Sequence, residues 1–229
     1  MKIDLLDGGI LFELNKKYSD YGEYAVFHDV SLIKKLYQDY VNLGCSYLTT
    51  ANYGFTPLKI ENWKEATCKS LNLIQEFRNT NMFICGCIPP FFKSYSCEPV
   101  TKEFKLFYQD LVSLMSENVD YYLLETVTSL EHARVIIEII RKIDSTTPIM
   151  ISMYINNHNK EHVSSFFELP IDRLLVNCCS FSDLTSFYSQ YLKDNSWKKI
   201  KFGFYCNKIH ERAYSVNCQV SNLQKFKHQ

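Results

Sequence analysis

Two carboxylic acids end mainly apolar segments of this 229-residue chain, where a charged side chain is expensive to bury. Asp7 follows residues 3–6, and Glu125 follows residues 121–124. A carboxylate in such a place needs a cation or hydrogen-bond donors as partners. The two acids could therefore receive the ammonium and polar groups of an amino-acid substrate. A helix cap or a salt bridge to a neighbouring loop is the alternative.

Gly8 and Gly9 follow Asp7 directly. Because glycine has no side chain, its backbone N–H group can come close to a ligand. The pair could therefore form one wall of the same substrate site. An ordinary tight turn into the next loop is the alternative.

The chain has nine cysteines, an odd number, and we expect reduced thiols rather than a disulfide framework. Cys178 and Cys179 are consecutive on a predicted strand, so their side chains point to opposite faces of the sheet. One of them could reach a site at the strand end, and plain packing is the alternative. Cys85 and Cys87 share one strand face, and we expect both to be small core residues.

One segment matches a metalloprotease pattern. His158, Glu161 and His162 have the H-x-x-E-H spacing in which one helix face presents two zinc ligands and a general base. The segment is expected to span a loop and a helix start, and the sequence places no third ligand near it. We therefore interpret the match as accidental.

Composition excludes several classes of protein. Lys plus Arg equals Asp plus Glu at 25 each, which argues against a nucleic-acid partner and against a membrane-surface role. Apolar residues make up 46% of the chain, enough for a substantial core. The N-terminus has no apolar signal core, and no stretch approaches 18 uninterrupted apolar residues. We expect a soluble cytoplasmic protein.

Short apolar segments alternate with longer amphipathic ones along the chain, which predicts strands alternating with helices. The predicted strands are 3–7, 45–50, 82–88, 121–126, 149–155, 174–178 and 201–206. The predicted helices are 28–43, 61–78, 102–117, 130–143, 160–168 and 182–192. Ser129 is a candidate N-cap of the fourth helix.

Repeated strand–helix units predict parallel strands with right-handed crossovers. A closed barrel and an open doubly wound sheet both qualify, but the first strand is not followed by a Gly-rich phosphate-binding motif. We therefore predict an α/β fold of the TIM-type (β/α) barrel class, formed by residues 1–229 as one domain. The barrel is expected to be incomplete, with about seven strands and an eighth, at 214–220, that is short or missing.

Four segments at the predicted strand ends carry family-like motifs. They read LLDGGILFEL (5–14), LGCSYLTTANY (43–53), YYLLETVTSLEHA (121–133) and LVNCCS (175–180). In this order they resemble the motifs L-D-G-G-x-x-T-E-L, G-A-D-I-I-T-T-N-T-Y, D-x-L-L-L-E-T-x-x-x-x-x-E-A and G-x-N-C of the homocysteine S-methyltransferase family. Each motif alone is weak, but four in the same order favour the family and hence the barrel.

The resemblance implies transfer of a methyl group from a methyl donor to the thiol of homocysteine, as in methionine biosynthesis. Zinc held by cysteines would keep the homocysteine sulfur deprotonated, since only a thiolate attacks efficiently. The residues carried over are Cys178 as a zinc ligand, Glu125 for the substrate ammonium, Asp7, Gly8 and Gly9 for positioning homocysteine, and Tyr53 and Asn177 as pocket lining. No residue is assigned a certain catalytic role.

The sequence also departs from the family. Two further zinc cysteines of the family lie in a G-G-C-C motif, which is missing after Cys178. Cys206 and Cys218 could substitute for them, because the first ends a predicted strand and the second lies in the candidate eighth strand. Otherwise the chain would be a C-terminally shortened, inactive homologue that acts as a binding module. A missing eighth strand would expose a sheet edge through which a homo-oligomer could form.

Overall fold

Six parallel strands form the sheet of the computed structural model, which describes residues 4–18, 22–155, 163–192 and 200–206. The strands are β1 (Tyr47–Thr49), β2 (Phe83–Ile88), β3 (Tyr121–Val127), β4 (Ile149–Tyr154), β5 (Arg173–Cys179) and β6 (Lys201–Cys206). Their order in the sheet is their order in the chain. A doubly wound sheet reverses its strand order at a switch point, so this sequential order is that of a barrel wall.

The helices of the described residues follow the same alternation. They are α1 (Ile10–Asn15), α2 (Glu23–His28), α3 (Val30–Asn42), α4 (Trp63–Gln75), α5 (Lys102–Met115), α6 (Leu130–Ile143), α7 (Val163–Phe166) and α8 (Phe181–Phe187), and a π-helical turn, Tyr188–Leu192, continues α8. None of these described helices combines the length and the apolar character needed to cross a membrane.

Each long helix buries one apolar stripe against the sheet. In α6 the buried residues Ala133, Ile136, Ile137 and Ile140 recur at the three-and-four spacing of a helix face. The helix begins where predicted, because the Ser129 side chain accepts a hydrogen bond from the backbone N–H of His132. These stripes form the main hydrophobic core between helices and sheet.

The predicted seven strands are only partly confirmed. Instead of a full first strand, the structure has a single parallel bridge between Leu6 and Tyr47. The pairing stops there because the Asp7 carboxylate, rather than a backbone carbonyl, accepts from the N–H of Thr49. The architecture is therefore an α/β fold with six strands curled into part of a barrel. The candidate eighth strand, 214–220, lies outside the described residues.

A second cluster of apolar side chains fills the concave face of the sheet. Tyr47, Cys85, Leu123 and Met150 are its buried members, from four successive strands, and Leu175 of β5 packs against them. In a flat sheet β1 and β5 would lie ~19 Å apart, four strand spacings of ~4.8 Å. A direct contact between side chains of β1 and β5 therefore requires strong curvature, and Arg173 makes one with Tyr47.

Arg173, at the start of β5, bridges this concave interior. Its guanidinium donates to the Tyr47 hydroxyl at 2.6 Å and to an Asp4 carboxylate oxygen at 3.1 Å. The same group lies 4.7 Å from the centre of the Tyr47 ring and 5.3 Å from that of Tyr121. The planar guanidinium thus ties β5 to the first segment of the chain through stacking and directed hydrogen bonds.

We predict that Arg173→Ala lowers the free energy of unfolding by about 2 kcal/mol, because the Tyr47 hydroxyl, whose side chain is buried, and the partly exposed Asp4 carboxylate lose their shared donor. Urea denaturation measures this loss. Lys34→Ala is the matched control, since Lys34 pairs with Glu76 at 2.7 Å but both side chains are about half exposed. Lys34→Ala should lower the free energy of unfolding by less than about 1 kcal/mol. Equal losses of stability in the two variants would contradict a structural role for the contacts of Arg173 with Tyr47 and Asp4.

Candidate functional site

Most of the buried polar side chains of the described residues lie at or just beyond the carboxyl ends of the strands. This set consists of Asp7, Thr49, Thr50, Asn52, Thr126, Ser152 and Asn177. The carboxyl ends of all parallel strands meet at one rim of the barrel, where barrel enzymes place their active sites. We call this rim the mouth. It includes five of the predicted site residues: Asp7, Tyr53, Glu125, Asn177 and Cys178.

Asp7 is almost fully buried and is held by one partner residue. Its two carboxylate oxygens accept hydrogen bonds from the Thr49 hydroxyl and the Thr49 backbone N–H, each at 2.7 Å. Burial raises the pKa of Asp7 well above its usual value, the two Thr49 bonds lower it, and the nearby Glu125 carboxyl raises it further. Asp7 therefore fastens the first segment to β1 and places a carboxyl group beside Glu125.

Gly8 is favoured by packing rather than by its backbone angle. A Cβ atom at this position would lie 2.6 Å from the hydroxyl at the tip of the Tyr40 side chain of α3. A larger residue would therefore require the buried Tyr40 side chain to shift. At Gly9 an added Cβ would meet only the Phe12 Cβ, at 3.4 Å, so that position is less constrained.

Glu125 is the third residue from the end of β3 and is half-buried. Desolvation raises the pKa of its carboxyl group to about 7, and a hydrogen bond from the Cys87 thiol, at 3.4 Å, acts in the opposite direction. Near neutral pH this group is therefore divided between its acid and its carboxylate. A raised carboxyl pKa in a cleft is a typical property of functional sites.

Two β-bulges turn the strand ends at the mouth. The register of β3 against β4 shifts between Leu124 and Val127, and that of β5 against β6 shifts between Asn177 and Cys179. Within these shifts Thr126 and Cys178 both have φ near +54°, in the left-handed region that non-glycine residues seldom occupy. Bulges next to active sites redirect side chains, and here they set the directions of the Glu125 and Cys178 side chains.

A chain of hydroxyl and amide groups crosses the mouth. Tyr53 donates to the Thr126 hydroxyl at 3.1 Å. With the Asn177 amide oriented to satisfy both of its ends, its oxygen accepts from Thr126 at 3.0 Å and from the Tyr205 hydroxyl at 3.1 Å. Its nitrogen then donates to the Met153 carbonyl at 3.0 Å. Asn177 therefore joins the ends of β3, β4, β5 and β6.

Cys178 is half-buried at the mouth, whereas Cys179 is buried in the core between sheet and helices. The two consecutive side chains thus point to opposite faces, as predicted. Burial and the nearby Cys178 thiol raise the pKa of Tyr95. The ring of Tyr95 also packs on that of Tyr154, with centroids 4.5 Å apart.

The loop between β2 and α5 covers one side of the mouth. Ser94 shares a hydrogen bond of 2.8 Å with the Tyr53 hydroxyl, and Thr128 donates to the Ser96 carbonyl at 2.8 Å. Beneath the loop lies a small cleft, partly open to solvent, whose lining includes Glu125, Thr126 and His132. Glu125 therefore borders an opening of the mouth.

The described residues do not by themselves fit a zinc ion. Among residues 4–18, 22–155, 163–192 and 200–206, no three His, Cys, Asp or Glu side chains converge as metal ligands, whereas zinc requires three protein ligands even at an open catalytic site. The predicted substitute ligand Cys218 lies outside these residues, as do His158, Glu161 and His162. The backbone of Cys206 ends β6, but its side chain lies outside the described part.

Sequence reasoning missed three groups of the mouth. Cys87 was expected to be an ordinary core residue, yet its thiol contacts Glu125. Thr49 and Tyr95, which hold Asp7 and contact Cys178, were not singled out. The only signal for Thr49 was its place at a predicted strand end, and Tyr95 lies in a loop without a motif.

We predict that Glu125→Gln stabilises the protein at alkaline pH. The unfolded glutamate has a pKa near 4.5 and the folded one near 7, so the folded state keeps a proton that the unfolded state has lost. Wild-type stability therefore falls as pH rises between these values. The free energy of unfolding of Glu125→Gln, relative to that of wild type, should therefore increase by about 1–2 kcal/mol from pH 5 to pH 8. Urea denaturation at both pH values measures it, and Glu138→Gln, on the exposed side of α6, should show no such growth.

Comparison with known proteins supplies the family. No curated protein sequence matches the chain. Crystal structures of the homocysteine methyltransferase MmuM from Escherichia coli are similar in fold: the apo form has a TM-score of 0.69 and 17% identity, and the oxidized form 0.70 and 16%, each alignment covering 98% of this chain and 96% of the other. The family model described as homocysteine S-methyltransferase matches residues 4–226. The match spans nearly the whole sequence, so the protein belongs to the homocysteine S-methyltransferase family.

Proposed function

We propose that the protein binds homocysteine at the mouth and transfers a methyl group to its sulfur. The observation that carries this proposal is the pair of carboxyl groups, Asp7 and Glu125, at the mouth, where burial and the charge of Glu125 both raise the pKa of Asp7. The groups that perturb their pKa values are hydroxyl, thiol, amide and carboxyl groups, and no described Lys, Arg or His is among them. Such a pair favours a cationic ligand.

The ammonium group of an amino acid fits this requirement. Both Asp7 oxygens already accept from Thr49, so Glu125 is the better partner for the ammonium. Tyr53, from the loop after β1, and Asn177, of β5, would line the site. Gly8 and Gly9 would approach the ligand through their backbone.

The transfer step follows ordinary thiol chemistry. The homocysteine sulfur, as thiolate, attacks the methyl carbon of the donor, an S–C bond forms, and the bond between methyl and donor breaks with its electron pair left on the donor. The thiol proton is lost to solvent beforehand. An unassisted thiol has a pKa of about 8.5, so only a few per cent is ionised at neutral pH. Since the described residues do not assemble a metal site, no step is assigned to zinc.

A second candidate function is binding without transfer. It is favoured by the donor set of the described residues, in which Cys178 is not joined by two further metal ligands. In this case the carboxyl pair would still bind an amino acid, but methionine would not form. Binding and turnover measured on the same protein separate the two functions.

We predict that homocysteine binds more tightly as Glu125 ionises. Apparent affinity scales with the fraction of the competent form, and with a Glu125 pKa of about 7 it should rise roughly tenfold from pH 6 to pH 8. Glu125→Gln should weaken binding by about 30-fold or more at pH 8, since the ammonium loses its charged partner. Isothermal titration calorimetry measures both effects. Glu138→Gln is the control, and wild-type-like affinity in Glu125→Gln would refute the assignment.

We also predict methionine formation from homocysteine and a labelled methyl donor, detected by mass spectrometry. A sulfonium and a quaternary ammonium donor should both be supplied. Cys178→Ala should reduce turnover at least tenfold, because it removes the thiol that the family resemblance assigns to zinc, whereas Cys68→Ala on α4, also a partly exposed thiol, should not. The zinc content of the purified full chain should be measured in parallel. Homocysteine binding without methionine, in zinc-supplied protein, would reject transfer and leave the binding function.

A further inference from the structure

The end of β2 is held by an unusual set of contacts from the loop after β1. The backbone N–H of Cys87 donates to the Thr50 hydroxyl at 2.8 Å, and the Cys87 carbonyl accepts from the Asn52 amide at 3.0 Å. The Thr50 hydroxyl in turn donates to the Asn52 side-chain oxygen at 2.6 Å. Cys87, Thr50 and Asn52 are buried to 2% exposure or less. The backbone of Cys87 is therefore fixed on both sides by side chains.

From this fixed backbone the Cys87 thiol points at Glu125. Its sulfur lies 3.4 Å from the Glu125 Oε2 atom, within the range of an S–H···O hydrogen bond. The two strands pair in register, with Cys87 opposite Leu123 and Ile88 opposite Leu124. Glu125 comes immediately after these pairs, where the bulge begins. The thiol thus supports the carboxyl group at the point where the regular ladder stops.

Packing alone does not explain Cys87. Cys85 lies two residues earlier on the same strand face and is equally buried, but it belongs to the apolar interior cluster with Tyr47, Leu123 and Met150. Cys87 belongs to neither hydrophobic cluster of the described residues. Its polar contacts are the loop after β1 and Glu125. The same residue type on the same face therefore has two different environments.

We propose that Cys87 is a positioning residue: its thiol holds one oxygen of the Glu125 carboxyl group and thereby leaves the other oxygen free for a ligand ammonium. The orientation of Glu125 is then determined by the chain Asn52, Thr50, Cys87, Glu125. The part of this inference that concerns the ammonium depends on the proposed function. The part that concerns the carboxyl group does not.

A thiol is a weaker hydrogen-bond donor than a hydroxyl, and the lowering of the Glu125 pKa by Cys87 is smaller than the raising of that pKa by desolvation. The other titratable groups whose charges interact with the Glu125 carboxyl are Asp7, Tyr53, Cys85 and Tyr205. All of these groups are neutral or negative in either protonation state, so none of them offers the Glu125 carboxylate a positive charge. Removing the thiol should therefore move the Glu125 titration upward.

The test measures the Glu125 titration in the ligand-free full chain by carbon-13 NMR of labelled glutamate carboxyls, with Glu125→Gln to assign the signal. We expect Cys87→Ala to raise the midpoint by about 0.5–1 pH unit and Cys87→Ser to keep or lower it. Cys85→Ala is the control for the loss of a buried thiol and should leave the midpoint within ~0.2 unit. Equal midpoints in wild type, Cys87→Ala and Cys87→Ser would overturn the inference.

Homocysteine affinity provides the second readout. At pH 7 we expect Cys87→Ala to bind about three- to tenfold more weakly than wild type, and Cys87→Ser to restore binding. A wild-type protein that does not bind homocysteine would reject the proposed function, and the NMR midpoints would still decide the role of Cys87. A shifted midpoint without any change in affinity would overturn the claim that Cys87 orients Glu125 for a ligand.

Discussion

The curvature of the parallel sheet is the constraint on which the other features depend. At the start of β5, Arg173 fixes the curvature by joining this strand to Asp4 and Tyr47. At the carboxyl end of β1, Asp7 fixes it by its two bonds to Thr49. Because the sheet curls, strand ends that would be far apart in a flat sheet share one mouth. The carboxyl groups of Asp7 and Glu125 can then influence each other although 118 residues separate them in the chain.

The mouth is assembled at a cost to stability. Burial opposes the ionisation of both carboxyl groups, and the left-handed backbone at Thr126 and Cys178 is unfavourable for residues with a Cβ. Satisfied hydrogen bonds offset part of this cost, above all the amide of Asn177, which joins four strand ends. Strained backbone and desolvated charge at one place are typical of a site kept for binding, since packing alone would favour apolar residues there.

The outcome of the sequence predictions differs between the fold and the site. Apolar segments predicted all six strands of the described sheet to within about two residues at each end. They also predicted a strand at residues 3–7, where the structure has only a single bridge because the Asp7 side chain replaces a ladder bond. Motif resemblance predicted the family, which the family model confirms. It could not predict that Cys85 and Cys87 have different surroundings, because two residues on one strand face look identical in sequence.

The sequence by itself determined the alternation of strands and helices, the apolar stripes that bury them and the order of polar residues at the strand ends. These follow from local periodicity and residue type. Only the tertiary structure decided which side chains meet: Thr49 with Asp7, Cys87 with Glu125 and Tyr95 with Cys178. Such contacts join residues about 40 or more positions apart, and they depend on the curl of the sheet and on two bulges, neither of which has a local signal in the sequence.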